Sequence, residues 1–218
     1  MSSNPKIIVV ANGKGGVGKT TTTMALSGIF SQRYKVLAVD ADAQGSFTWW
    51  VERSQQKIFD LVQETNPLVL GQLRKIEGYE LILVDTPPAL DSEALAAVIA
   101  AADYLLLPTP PAPMDLTALI QTVKRAILPI GVAHRVLLTR VDPRSSKEAQ
   151  EAQNILKEVG IPACKTFIRT YKAHEKAALE GLPITQWRGK HQREAQADYR
   201  KVADEIQQDW RKIWSENV

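Results

Sequence analysis

Apolar residues gather in six short, nearly unbroken runs: Lys6–Ala11, Val36–Val39, Leu81–Val84, Tyr104–Leu107, Arg135–Thr139 and Thr166–Ile168. Strands buried on both faces of a parallel sheet need runs of this kind, with little polar alternation. Between them, apolar positions recur at helical spacing and predict helices over 20–33, 91–101, 115–128, 146–159 and 172–180. Regular alternation of the two patterns predicts an α/β fold, a single doubly wound and mostly parallel sheet flanked by helices. No internal repeat or long linker interrupts it, so 1–218 reads as one domain. Two further helices are expected. Ser46–Gln56 carries the adjacent pair Trp49 and Trp50, which point about 100° apart, so one should pack inward; core packing is the favoured account of the pair, with a subunit or partner surface for the second ring as its rival. A C-terminal helix over about 191–214 carries Tyr199, Val202, Ile206, Trp210, Ile213 and Trp214 on one stripe, expected to lie against the sheet.

The first strand runs into Gly13-Lys14-Gly15-Gly16-Val17-Gly18-Lys19-Thr20, and Thr21 onward reads as helix. Strand, glycine-rich turn and helix form the context in which G-x-x-x-x-G-K-[ST] binds phosphate. The glycines let successive backbone N–H groups close around phosphate oxygens, and the helix N-terminus adds positive potential. Lys19 is expected on the β- and γ-phosphates and the Thr20 hydroxyl on Mg²⁺. The loop predicts a nucleotide site.

In such sheets ligands sit outside the carboxyl ends of the strands. Asp40 and Asp42 follow the second strand and Asp85 follows the third, so three carboxylates converge on the end that carries the loop. Without a cation they would repel one another and the nucleotide; with Mg²⁺ present the grouping makes sense.

The string KGGVGKTT resembles the deviant Walker A box of the ParA/MinD family of P-loop ATPases. The resemblance covers nearly the whole chain and is most specific in its N-terminal half. It implies ATP and Mg²⁺ as cofactors, bound at Gly13, Lys14, Gly15, Gly16, Val17, Gly18, Lys19, Thr20 and Thr21. By the same resemblance Lys14 reaches across a homodimer interface to the partner's nucleotide. VDADAQG looks like the family's D-x-D-P-Q-G segment, with Ala43 in place of proline, and LILVDTPP looks like its Walker B strand. Asp40 is then expected near Mg²⁺, Asp85 to hold the metal through water, and Asp42 to orient the attacking water. Lys14, Lys19 and Asp42 would be the catalytic set, and Thr20, Asp40 and Asp85 the metal set. The passage Pro108–Pro113, with Asp115 as the expected cap of the next helix, is similar to a family segment that follows nucleotide state. Arg140 stands where the family often has asparagine, on the loop it places beside the nucleobase.

Composition adds one fact to this picture. With 44% apolar and 23% charged residues the chain suits a soluble globular protein, and its lone Cys164 allows no internal disulfide and no paired-cysteine cluster. The first residues lack a signal-peptide core, and no apolar run nears the roughly 18 residues of a membrane span, so a cytoplasmic protein is expected. Net charge is only +3, but residues 165–193 hold Lys165, Arg169, Lys172, Lys176, Arg188, Lys190 and Arg193 against Glu175 and Glu180. A basic stretch on a neutral body points to a polyanion. Ile168-Arg169 keeps part of the family's I-P-R passage, which in DNA-binding relatives contacts DNA without sequence preference. The resemblance therefore implies DNA contacts at Lys172 and Arg193, with Arg169, Lys176, Arg188, Lys190 and Arg200 as neighbours.

The leading functional expectation is a nucleoid-associated partition or positioning ATPase. Its ATP-bound dimer would hold nonspecific DNA until a ParB-like or other adaptor stimulates hydrolysis, moving a plasmid, chromosome region or other large cargo. The alternative is a MinD-like membrane ATPase, disfavoured by acidic residues such as Asp204, Glu205 and Asp209 along the last helix. A metabolic P-loop kinase or ligase should not need Lys14. A plain nucleic-acid-binding module should not need Asp42.

Overall fold

The computed structural model describes residues 4–89 and 92–215. Six parallel strands form one sheet in the order β3-β2-β4-β1-β5-β6. They are β1 (Lys6–Val10), β2 (Val36–Asp40), β3 (Asp60–Gln63), β4 (Leu81–Asp85), β5 (Tyr104–Thr109) and β6 (Ala133–Leu138). The helices are α1 (Lys19–Phe30), α2 (Ser46–Glu52), α3 (Pro67–Leu70), α4 (Glu93–Ala101), α5 (Pro113–Thr122), α6 (Lys147–Glu158), α7 (Lys172–Leu179) and α8 (Gln192–Ser215). Strand order reverses at β1, between β4 and β5, and the phosphate loop leaves the sheet there.

Alternate residues of each strand feed separate cores. Ile7 and Val9 pack under α3, α4, α5 and α6, with Leu70, Leu95, Leu116 and Leu156. Ile8 and Val10 pack under α1, α2, α7 and α8, with Leu26, Trp50, Ala177 and Tyr199. Tyr199, Val202, Ile206 and Trp210 of α8 are all buried in this second core, as the stripe predicts. The side chains of Ile213 and Trp214 lie outside the described residues, as does Asp91. Trp50 is 6% exposed and donates to the Leu182 carbonyl at 3.2 Å, whereas Trp49 is 50% exposed beneath the Arg53 guanidinium.

Five readings need correction. Thr166–Ile168 is not a strand: isolated bridges Val136↔Ala163 and Val141↔Arg169 flank it, and Ile168 N donates to the Leu138 carbonyl at 2.8 Å without a continuous ladder forming. The backbone N–H groups of Lys165 and Thr166 donate instead to the Glu205 carboxylate at 2.7 and 2.8 Å, which takes them out of the ladder. The edge strand β3 went unread because it is only half-buried and mixes Asp60 and Gln63 with Leu61 and Val62. Finally, α5 starts at Pro113 with Ala112 as its cap, so Asp115 sits inside the first turn and its carboxylate is available to another partner. The helix over 115–128 is also divided, since α5 ends at Thr122 and wider and tighter turns follow to Ile130. The helix expected over Ser46–Gln56 stops at Glu52.

Candidate nucleotide site and basic groove

The loop between β1 and α1 turns twice through left-handed glycines, Gly16 at φ 73° and Gly18 at φ 95°. Gly18 is also the cap of α1, so the helix opens onto the loop. Asn12 braces the entry: its side-chain amide donates to the Pro108 carbonyl at 2.8 Å and its oxygen accepts from Lys14 N at 2.9 Å. Val17 is buried, and its carbonyl accepts from the Thr139 hydroxyl at 2.8 Å. The loop is thus tied to the ends of β5 and β6 before any ligand is bound.

Lys19 is 7% exposed and its Nζ donates to the Lys14 carbonyl at 3.0 Å across the loop. Burial lowers its pKa, while Asp85 and Asp42 oppose that shift. Asp40 and Asp85 end neighbouring strands in register, both fully buried. Thr20 Oγ1 donates to Asp85 Oδ2 at 2.7 Å and Thr23 Oγ1 to Asp85 Oδ1 at 3.2 Å. Burial still raises the Asp85 pKa to about 7, with the Asp40 charge adding to it and the two hydroxyls opposing. Asp40 accepts from Thr48 N at 2.8 Å and Thr48 Oγ1 at 2.9 Å, which ties α2 to the end of β2. Asp42 is half-buried at the cavity wall and accepts from Gln44 N at 2.9 Å.

Lys19, Thr20 and Asp42 border a cavity of about 520 Å³, while Asp40 and Asp85 lie behind its wall. Its lining takes Gly15, Gly16, Gly18, Lys19, Thr20, Thr21 and Asp42 from the loop side. Thr139, Arg140, Ile168 and the segment Arg169–Tyr171 complete it, with His174 and Tyr199. Hydroxyl and carboxylate oxygens are hard donors and suit a small divalent cation such as Mg²⁺, which takes its remaining ligands from water and phosphate. Among the described residues no three acidic, histidine or cysteine side chains form one metal-binding cluster, so the expected convergence of Asp40, Asp42 and Asp85 is not seen: Asp42 stands apart at the cavity wall. Thr23 and Thr48 were missed in the sequence. The run Thr20–Thr23 after Lys19 held the signal, since residues one helical turn apart share a face.

Lys14 does not line this cavity. Its ammonium, on a side chain 59% exposed, pairs with Asp115 in the first turn of α5. Met114 beside it is 86% exposed.

A second concavity, of about 700 Å³, adjoins the first and shares Arg169, Thr170 and Tyr171 with it. Lys172, Lys176, Lys190 and Arg144 line it, the last unforeseen in the sequence. Arg169 lines it too, but its guanidinium is bound by both Asp198 oxygens at 2.7 and 2.9 Å. Arg188, Arg193 and Arg200 do not border the groove. Arg188 donates to the carbonyls of Thr185 and Trp187, both at 3.2 Å, and Arg200 lies against Gln32 of the α1–β2 turn. Of the seven cations expected at DNA, the structure gathers Arg169, Lys172, Lys176 and Lys190 at the groove and leaves Arg188, Arg193 and Arg200 apart.

Residues 8–184 match the family described as the CobQ/CobB/MinD/ParA nucleotide binding domain. The chain belongs to the ParA/MinD family of ATPases. A ParA/MinD relative, maintenance of carboxysome distribution protein A from Gloeobacter kilaueensis, is 64% identical over 212 residues, spanning 97% of this chain and 98% of that protein. The structure of a Cyanothece McdA variant in complex with ATP superposes with a TM-score of 0.77 at 21% identity, covering 94% of this chain and 97% of that one. Septum site-determining protein MinD from Pyrococcus horikoshii OT3, complexed with Mg-ADP, superposes at 0.74 with 23% identity, covering 93% and 96%. At those identities the two structures speak for the fold alone. Among the described residues no helix is long and apolar enough to cross a membrane.

Proposed function

We propose that this chain is an ATP-driven positioning ATPase that distributes carboxysomes over the nucleoid. ATP and Mg²⁺ bind at the loop, and two copies close face to face around their nucleotides. The dimer holds DNA without regard to sequence, and an adaptor on the cargo stimulates hydrolysis and release. Cargo identity rests on the 64% identity to a protein named for carboxysome distribution.

The observation that carries the reading is the placement of Lys14. A metabolic P-loop enzyme has no use for a second lysine that avoids its own nucleotide cavity. Here it stands at the surface on Asp115, beside exposed Met114, where a second copy can take it. Exchange of Asp115 for the partner's phosphates gives ATP a differential affinity for the dimer, which is what shifts a conformational equilibrium. Thr20 and Asp85 would hold Mg²⁺, with Asp40 behind them. Asp42, with one oxygen occupied by Gln44 N, keeps the other to orient water. The membrane alternative is weakened, because Tyr199, Val202, Ile206 and Trp210 of the α8 stripe are buried in the core.

Cosedimentation with DNA in ATP, ADP and no nucleotide tests this, using wild type and Lys14→Gln. Wild type should pellet with DNA only in ATP. Lys14→Gln should still bind ATP yet stay monomeric and remain in the supernatant. A variant that dimerises and pellets normally would overturn the trans role of Lys14.

A further inference from the structure

Three cations line the nucleotide cavity: Lys19, Arg140 and Arg169. Lys19 is tied across the loop, and Arg169 is neutralised by Asp198. Arg140 has no hydrogen-bond or ion-pair partner among the described residues. The carboxylates lining the same cavity, Asp42 and Glu175, do not engage it. Yet its Nη1 comes within 4.0 Å of the point where a Cβ on Gly16 would stand, so the guanidinium hangs over the phosphate loop.

The backbone explains how it gets there. Arg140 adopts φ 57°, a left-handed conformation that costs a non-glycine residue about 1 kcal/mol or more. Its neighbours hold it in that state. Thr139 N donates to the Thr109 carbonyl at 2.8 Å and its hydroxyl to the Val17 carbonyl, while Val141 N donates to the Ile168 carbonyl at 3.1 Å. The surroundings fix the backbone and aim the side chain, and nothing among the described residues then occupies the guanidinium. A planar fork of N–H donors matches a pair of anionic oxygens, and beside a phosphate cradle the phosphate chain presents such a pair.

We propose that Arg140 binds the nucleotide's phosphate chain in cis, alongside Lys19. The inference rests on the nucleotide reading above. It goes beyond that reading by assigning a phosphate ligand from the β6–α6 loop, at a position where the family resemblance suggested a base-side contact.

Calorimetric titration with Mg-ATP at low and high salt tests it, on wild type, Arg140→Asn and Arg140→Lys. Asparagine tolerates the left-handed backbone and carries no charge. Arg140→Asn should keep its melting temperature without nucleotide and bind ATP on the order of 10- to 100-fold more weakly, the effect of a lost charged hydrogen bond. The loss should shrink at high salt, and Arg140→Lys should fall between the two. Arg140→Gly, which removes both strain and charge, serves in its place if the asparagine variant does not fold. Unchanged affinity in the neutral variant would overturn the proposal. So would a loss independent of salt, which points to a base contact, or normal affinity with ATP-driven dimerisation abolished, which points to a role across the interface. Wild type that binds no ATP at all would overturn the functional reading as well, so the two failures are distinguishable.

Discussion

Around the phosphate loop, polar side chains are fixed before any ligand arrives. Asp85 has two hydroxyl donors, Asp40 has Thr48, and Lys19 spans the loop. In the adjoining groove the side chains of Lys172, Lys176 and Lys190 are exposed, and their ammonium groups make no hydrogen bond or ion pair among the described residues. The difference follows from what each surface is asked to do. Phosphoryl transfer depends on preorganised charge at defined points, where small displacements are costly. Nonspecific polyanion contact needs only charge and reach, and a mobile lysine supplies both. A fixed cation in the basic stretch is therefore suspect as a DNA contact, and a free one beside the nucleotide is suspect as a ligand.

The largest expected effect lies at the loop. Lys19→Ala should lower ATP affinity by at least about 100-fold, since a buried charge facing the phosphates is removed together with its bond across the loop. Equilibrium binding of a fluorescent ATP analogue would measure it. Affinity within a few-fold of wild type would mean that this loop does not cradle the nucleotide.

Next comes the groove. Lys172→Glu, Lys176→Glu and Lys190→Glu should each keep ATP binding and weaken DNA by about 10-fold or more, because a dimer carries every reversal twice. The salt dependence should flatten by about 0.9 in log–log slope per lost phosphate contact. Arg188→Glu and Arg200→Glu should do less, as those side chains lie outside the groove. Equal losses for all five would break the distinction between free and occupied cations.

Asp85 sharpens the comparison from the stability side. Its folded pKa of about 7 stands above the 3.8 of an ordinary aspartate, so the folded chain holds a proton that the unfolded chain releases. Without nucleotide and metal, this group should reduce stability as pH rises from about 4 to about 7, with no further change above. Asp85→Asn removes that contribution. It should melt with wild type near pH 4 and above it at pH 8, by at most a few kcal/mol, while losing tight Mg-ATP. The difference between the two proteins cancels the buried His174, whose pKa burial lowers to about 4 and whose slope has the opposite sign. Parallel stability–pH curves would show that Asp85 is ionised in the ligand-free fold.

These contrasts also explain what the sequence disclosed. The loop was legible because its chemistry is local: consecutive residues between one strand and one helix specify turn, charge and metal oxygen together. The sheet was legible wherever strands carry unbroken apolar runs, and β3 was lost because its four residues are half-exposed and mix polar with apolar side chains. Pairings between distant residues left no sequence signal. Lys14 meets Asp115 across most of the first half of the chain, and Arg169 meets Asp198 through two irregular connections and a helix. The basic count of 165–193 therefore overstated the groove, since nothing in that segment showed that Asp198 would occupy Arg169. It also missed Arg144, which enters from the β6–α6 loop.

Arg169 gives the smallest expected effect and the most direct test, because it borders both cavities. Its guanidinium is held by both Asp198 oxygens and lies over the Tyr171 ring, and Asp198 is almost wholly buried. Arg169→Ala would leave that carboxylate unpaired, so the cost should appear in stability, at about 1–3 kcal/mol. Asp198→Asn in the same chain removes the stranded charge and should recover much of the loss, a coupling that a double-mutant cycle in urea measures directly. DNA affinity of the double variant should stay within a few-fold of wild type, since a guanidinium already neutralised by an internal carboxylate offers a phosphate little. If the double variant is stable yet loses DNA as fully as Lys172→Glu, the Asp198 pair does not withhold Arg169 from DNA. Occupied and free cations would then contribute alike to the groove.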